Sequence, residues 1–149
     1  MNLMNVAEIK ISYSTNVPAS ERITITSSYK ASSIFTEVFN GEVEYRENMY
    51  VLLLNRANKV LGVSHISMGG VSGTVCDPKI LFQVALKAHA SGIILCHNHP
   101  SGNRNPSDAD ERLTRKIQEG GKILDIPLLD HIILTPDNEY FSFADEGLM

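Results

Sequence analysis

The chain has 149 residues, 43% hydrophobic and 20% charged, the composition of one ordinary soluble domain with no length left for a second catalytic unit. A formal charge of −4 with scattered basic residues argues against a broad phosphate-gripping surface, because nucleic-acid-binding domains gather Lys and Arg on one face. Two cysteines are too few for a disulfide framework, and the start MNLMNVAEIKISY lacks the basic residues and apolar run of a secretory signal, so a cytoplasmic protein with no membrane segment is expected.

Ala7 to Tyr13 alternates apolar and polar residues and predicts a half-buried strand, followed by a turn at Pro18. From Ser27 or Ser28 to Phe39, cap residues precede Ile34, Phe35, Val38 and Phe39 at helical spacing, and Asn40-Gly41 closes the helix. Glu44 to Leu54 ends in MYVLLL, apolar on both faces and therefore central, and NRANK turns it into a hairpin with VLGVSHIS. The stretch MGGVSGTV reads as a loop or bulged edge without a phosphate-loop pattern. Asp77 and Pro78 start a helix whose inward stripe is Ile80, Leu81, Val84, Ala85 and Ala88, ending near Gly92. Ile93 to Cys96 reads as a buried strand that delivers His97 at its C-terminal end, where chemistry gathers in open α/β sheets.

After the loop PSGNRNP, Ser107 caps a second helix with Leu113 and Ile117 inward and Gly120-Gly121 as its stop. Arg112, Arg115 and Lys116 read as the solvated face of that helix. Ile123 to Leu129 with His131 to Leu134 suggests a further strand, and Tyr140 to Phe143 a last one. The fold class expected is α/β: a single-domain, three-layer sandwich of a mixed β-sheet flanked by helices, with residues 1–27 adding a strand and turn to the same unit as residues 28–149.

In an extended chain side chains alternate, so His97 and His99 point one way and Asn98 the other. The ten residues between His99 and Asp110 include Pro100, Gly102 and Pro106, enough irregular chain to bring a carboxylate from the first turn of the next helix back to the two imidazoles. Two His and one carboxylate with a fourth position left for water is a ligand set of catalytic zinc, whereas structural zinc is usually closed by four protein ligands. Such an ion acts as a Lewis acid and brings water's deprotonation toward neutral pH. Against this stands the plain reading that His-x-His arises by chance and that Ser107 to Asp110 is only a capping box.

The string HNHPSGNRNPSDAD decides between them, because it fits the pattern His-x-His-Pro, six residues, Ser, two residues, Asp at every defined position. It resembles the JAMM metallopeptidase family, and specifically the RadC branch, through HNHPSG, the Pro-Ser pair before the helix, the later Leu129-Asp130-His131-Ile132 and the closing FSFADEGL. The resemblance covers about residue 28 onward and implies a fold like that of JAMM and cytidine deaminase domains, with His97, His99 and Asp110 as Zn2+ ligands. It further implies Glu47, just before the central strand, as the general base, and Ser107 as the group that steadies the oxyanion. From the residues alone Glu42, Glu44 or a later acid competes with Glu47. The family's usual Pro-Arg-Glu before the long helix is Pro78-Lys79-Ile80 here, and the chain is too short for the helix-hairpin-helix region that full-length RadC proteins generally carry.

The activity implied is a zinc hydrolase, a metallopeptidase or isopeptidase acting on a peptide or protein. The alternative is a DNA-associated or protein-binding module whose metal is mainly structural. An iron oxygenase with the same ligand set would use a double-sheet β barrel, and a zinc deaminase needs His-x-Glu with Pro-Cys-x-x-Cys, which the chain lacks. Cys96 beside His97 should be a buried core thiol, since neighbours on a strand face opposite sides. Asp130 and His131 read equally as partners of a metal ligand or as a structural pair. His65 and His89 read as surface or packing residues, and the five tyrosines form no RNA-binding pattern.

Overall fold

The computed structural model describes residues 5–69 and 76–149. Its strands are β1 (Asn48–Leu54), β2 (Val60–Met68), β3 (Gly92–Asn98), β4 (Leu128–Leu134) and β5 (Tyr140–Ser142), and its α-helices are α1 (Ser28–Phe39), α2 (Pro78–Lys87) and α3 (Asp108–Leu124). One mixed sheet runs β2-β1-β3-β4-β5, with β3 and β4 parallel and the other pairs antiparallel.

MYVLLL is apolar on both faces because both faces are covered. Leu52, Leu54, Ile94, Cys96 and Ile132 pack against Ala31, Phe35 and Phe39 of α1, while Val51, Leu53, Ile93 and Leu95 pack against Leu81, Phe82 and Ala85 of α2 and Ile117 of α3. This is the expected α/β sandwich of three layers, one helix on one side of the sheet and two on the other. Among the described residues no helix is long and apolar enough to cross a membrane.

Capping follows the sequence closely. Ser27 accepts Lys30 N at the start of α1, Asn40 closes it in the left-handed conformation, and Asp77 accepts Lys79 N ahead of Pro78. The hairpin joining β1 to β2 turns at residues 55–59, with Asn58 at φ 58°.

Several expectations are corrected. Ala7 to Tyr13 forms no strand; Ile9 and Ile11 remain 85% and 78% exposed, and the segment passes beside α2, where the Tyr13 ring lies 5.6 Å from that of His89. Period-two alternation says which residues share a face, and it creates no partner strand. Glu44 ends a short 3-10 helix at Glu42–Glu44, and residues 45–47 form a turn ahead of β1. α2 stops at Lys87, and Ile80 faces solvent while Phe82 takes the inward position. Of the glycine-rich stretch, residues 70–75 lie outside the described residues.

The largest correction concerns Gly120-Gly121, which lie inside α3; the helix runs on through Ile123 and Leu124, so β4 begins only at Leu128. Close packing explains both glycines: a Cβ on Gly120 would meet the Phe82 ring at 2.8 Å, and one on Gly121 would overlap the Ile126 carbonyl oxygen. The stop is Asp125, left-handed at φ 56°.

Candidate metal centre

β3 is buried along its whole length, but its chemistry changes at Cys96. From Gly92 to Cys96 it needs only apolar neighbours, whereas His97, Asn98 and His99 are buried polar groups, each of which must find partners. Alternation sends His97 to the α2 and α3 side with Leu95, and Asn98 to the α1 side with Cys96.

The loop after His99 returns at Ser107, whose Oγ accepts Asp110 N at 3.1 Å while Ser107 N donates to Asp110 Oδ2 at 2.9 Å. This capping box fixes the Asp110 carboxylate at the first turn of α3 and turns its oxygens toward the two histidines. His97 Nε2 lies 3.0 Å from His99 Nε2 and 3.3 Å from Asp110 Oδ1, and His99 Nε2 lies 3.2 Å from Asp110 Oδ2. The three residues thus form a group able to hold a metal ion.

The spacing passes a simple test of fit. Donors about 2.0–2.1 Å from one tetrahedral centre stand about 3.3 Å from each other, and these lie 3.0–3.3 Å apart. His99 Nδ1 donates to the Asn103 carbonyl oxygen at 2.6 Å, which leaves Nε2 as its lone-pair nitrogen.

The three groups are electrostatically coupled to one another. Burial alone would raise the Asp110 carboxyl, but hydrogen bonds with His97 and His99, the charge of His97 and the Ser107 N–H outweigh it and hold the group well below the usual carboxylate range. Burial lowers His99, yet its bonds to Asp110 and Asn103 and the charges of Asp110 and Glu47 raise it on balance. Complete burial holds the His131 imidazole well below its ordinary value and therefore neutral.

Glu47 is half-buried. β1 and β3 pair in the register Met49 with His97, and continuing that antiparallel register by two residues, one step beyond the end of β1, would set Glu47 opposite His99 on the same side of the sheet. Its charge acting on His99 is the electrostatic trace of that placement. Glu42 and Glu44, its competitors in sequence, are exposed on the short 3-10 helix that precedes it.

The segment carrying Glu47 is held from the other face. Asn98 Oδ1 accepts Asn48 N at 2.7 Å, and Asn98 Nδ2 donates to the carbonyl oxygens of Val43 at 2.7 Å and Arg46 at 2.9 Å. This role was missed in the sequence, although the alternation that pairs His97 with His99 already excludes Asn98 from their face.

The Asp130-His131 alternatives separate by the same rule. His131 Nε2 lies 2.8 Å from His97 Nδ1, and His131 Nδ1 lies 2.7 Å from Thr114 Oγ1. Asp130 instead accepts His131 N at 2.7 Å, Ala144 N at 3.0 Å and Ser142 Oγ at 2.6 Å, tying the closing turn to β4. Burial leaves its carboxyl raised despite those bonds. Thr114 was missed as well; it sits four residues after Asp110, hence on the same face of α3. Cys96 is a fully buried thiol held well above its ordinary value by burial, and His65 and His89 are exposed. Arg112, Arg115 and Lys116 lie exposed along α3.

Fold and site together define an α/β domain with a His-His-carboxylate candidate metal centre at the carboxyl end of a central strand. The family model described as the RadC-like JAB domain matches residues 25–148, and the chain belongs to that family. It is 47% identical over 124 residues to a UPF0758 protein of Flavobacterium johnsoniae, covering 83% of this chain and 53% of that protein. It is 46% identical over 104 residues to a UPF0758 protein of Porphyromonas gingivalis, covering 70% of this chain and 46% of that one. A UPF0758 protein of Clostridium acetobutylicum is 38% identical over 129 residues, 87% of this chain and 55% of its own length. The chain therefore spans about half the length of these curated relatives.

Proposed function

We propose that the chain is a zinc-dependent hydrolase that cleaves an amide bond in a peptide or protein, with water as the nucleophile. The observation that carries this reading is the convergence of His97 Nε2, His99 Nε2 and the Asp110 carboxylate within 3.0–3.3 Å of one another, a donor set that fits zinc. A zinc ion held by these residues supplies Lewis acidity, polarising a carbonyl and bringing water's deprotonation toward neutral pH.

The chain's own groups do the rest. Glu47, opposite His99, takes the proton from the attacking water and returns it to the leaving nitrogen. Ser107 Oγ accepts Asp110 N, so its hydroxyl hydrogen remains available to an oxyanion at the rim of the site. Asn98, by gripping the carbonyls of Val43 and Arg46 and the amide of Asn48, holds Glu47 in place. A cytoplasmic setting is part of the proposal and is supported by Cys76 and Cys96, both unpaired and buried.

The test is cleavage of a peptide and isopeptide library by zinc-loaded protein, wild type beside Glu47→Gln. Glu47→Gln should bind zinc as the wild type does and cleave slower by about 10²–10⁴-fold, the usual worth of a positioned general base. Equal cleavage by both would remove Glu47 from the mechanism. A wild type that binds zinc but cleaves nothing would favour a binding module with a structural metal.

A further inference from the structure

The hydrogen bonds that run from His97 into the core admit one arrangement of protons. Thr114 Oγ1 lies 2.7 Å from the carbonyl oxygen of Asp110, which brings no hydrogen of its own, so the single hydroxyl proton of Thr114 is committed there. The same Oγ1 lies 2.7 Å from His131 Nδ1. Having no second proton to give, the hydroxyl accepts, and His131 carries its proton on Nδ1. His131 Nε2 is then bare, and it stands 2.8 Å from His97 Nδ1, which must donate. His97 is left with Nε2 unprotonated and facing His99 Nε2 and Asp110 Oδ1.

We propose that Thr114 and His131 are positioning residues that fix the tautomer and the ring orientation of His97 as a metal ligand. The inference rests on the reading of His97, His99 and Asp110 as a metal centre. Ordinarily a ligating imidazole donates its second N–H to a carboxylate, a backbone carbonyl or water, as His99 does to Asn103. His97 lies too deep for a loop carbonyl to reach, being fully buried, and an imidazole on the neighbouring parallel strand takes that place. Imidazole has two nitrogens, so it settles the tautomer of His97 only if its own is settled, and that is the part of Thr114. The ring of Phe143 stacks on His131 at 4.7 Å and 11°, which fixes the plane in which the bond is offered.

The circuit also closes on itself. It starts at the main-chain oxygen of one ligand, Asp110 on α3, crosses β4 through His131 and ends on another ligand, His97 on β3. The first turn of α3 and the end of β3 are thereby held to each other by groups that never touch the ion.

Zinc affinity measured by chelator competition tests this without any substrate. Thr114→Val, which keeps the shape and removes the hydroxyl, should weaken zinc binding about tenfold, at the lower end of what loss of such outer partners costs, and Thr114→Ser should restore it. Asp110→Ala should abolish binding. In zinc-loaded wild type, nitrogen-15 NMR of the histidine rings should show His131 protonated on Nδ1 and bare at Nε2, a result that depends on no variant's folding. Wild-type affinity in Thr114→Val, or His131 protonated on Nε2, overturns the inference while leaving the metal centre standing. A wild type that takes up no zinc overturns the metal centre and the inference with it.

Discussion

The two halves of the buried run from Ile93 to His99, β3 and the residue that follows it, differ in their chemistry. Ile93 to Cys96 lies between two apolar layers and asks nothing of its neighbours but shape, whereas His97 to His99 is polar at each position and draws on Asp110, His131, Asn103, Asn48, Val43 and Arg46 for its partners. Burial without polarity builds the sheet. Burial with polarity costs desolvation at every atom, and it persists here because each group is bonded and three of the donors converge.

That contrast can be broken from either side. Leu95→Ala, in the apolar half, should lower stability by about 2–5 kcal/mol through the cavity it leaves, read as the shift in urea midpoint, with zinc affinity kept. Asn98→Ala, in the polar half, strands the Asn48 amide and the Val43 carbonyl and leaves the Arg46 carbonyl only the longer bond from Asn48 Nδ2; the expected loss is about 2–3 kcal/mol, accompanied by slower hydrolysis because Glu47 loses its hold. Should Asn98→Ala leave cleavage unchanged, Asn98 is structural only.

A smaller effect distinguishes the glycines of α3. In an ordinary helix interior Gly→Ala gains about 1 kcal/mol. Gly121→Ala should instead lower stability by about 1–3 kcal/mol, because the new methyl overlaps a backbone oxygen. Thermal melts of Gly121→Ala against wild type check the sign, and a higher melting temperature would mean that α3 and the turn into β4 are less tightly packed than the structure has them.

Those glycines also mark the limit of what the sequence disclosed. Caps, the hairpin turn and the apolar runs were readable because they depend on local chemistry: Ser27, Asp77 and Ser107 sit where they were expected. Gly120-Gly121 looked like a helix stop because their reason is close packing in three dimensions, against the Phe82 ring of α2 for Gly120 and against the Ile126 carbonyl of the turn that follows α3 for Gly121. Ala7 to Tyr13 had the pattern of a strand and found no strand to pair with. Spacing allowed His97, His99 and Asp110 to be grouped, with the family string deciding for them, whereas Glu47 was singled out only through family likeness. Thr114 and Asn98 were not, since a partner of a partner is defined in three dimensions.

The most direct measurement is anomalous scattering at the zinc edge from crystals of protein purified without chelator. One peak bounded by His97 Nε2, His99 Nε2 and the Asp110 carboxylate, with the Glu47 carboxylate facing the remaining position, is the result predicted. A peak elsewhere, or zinc-replete crystals in which those three side chains bond only to one another, would contradict the metal centre on which the proposed hydrolysis depends.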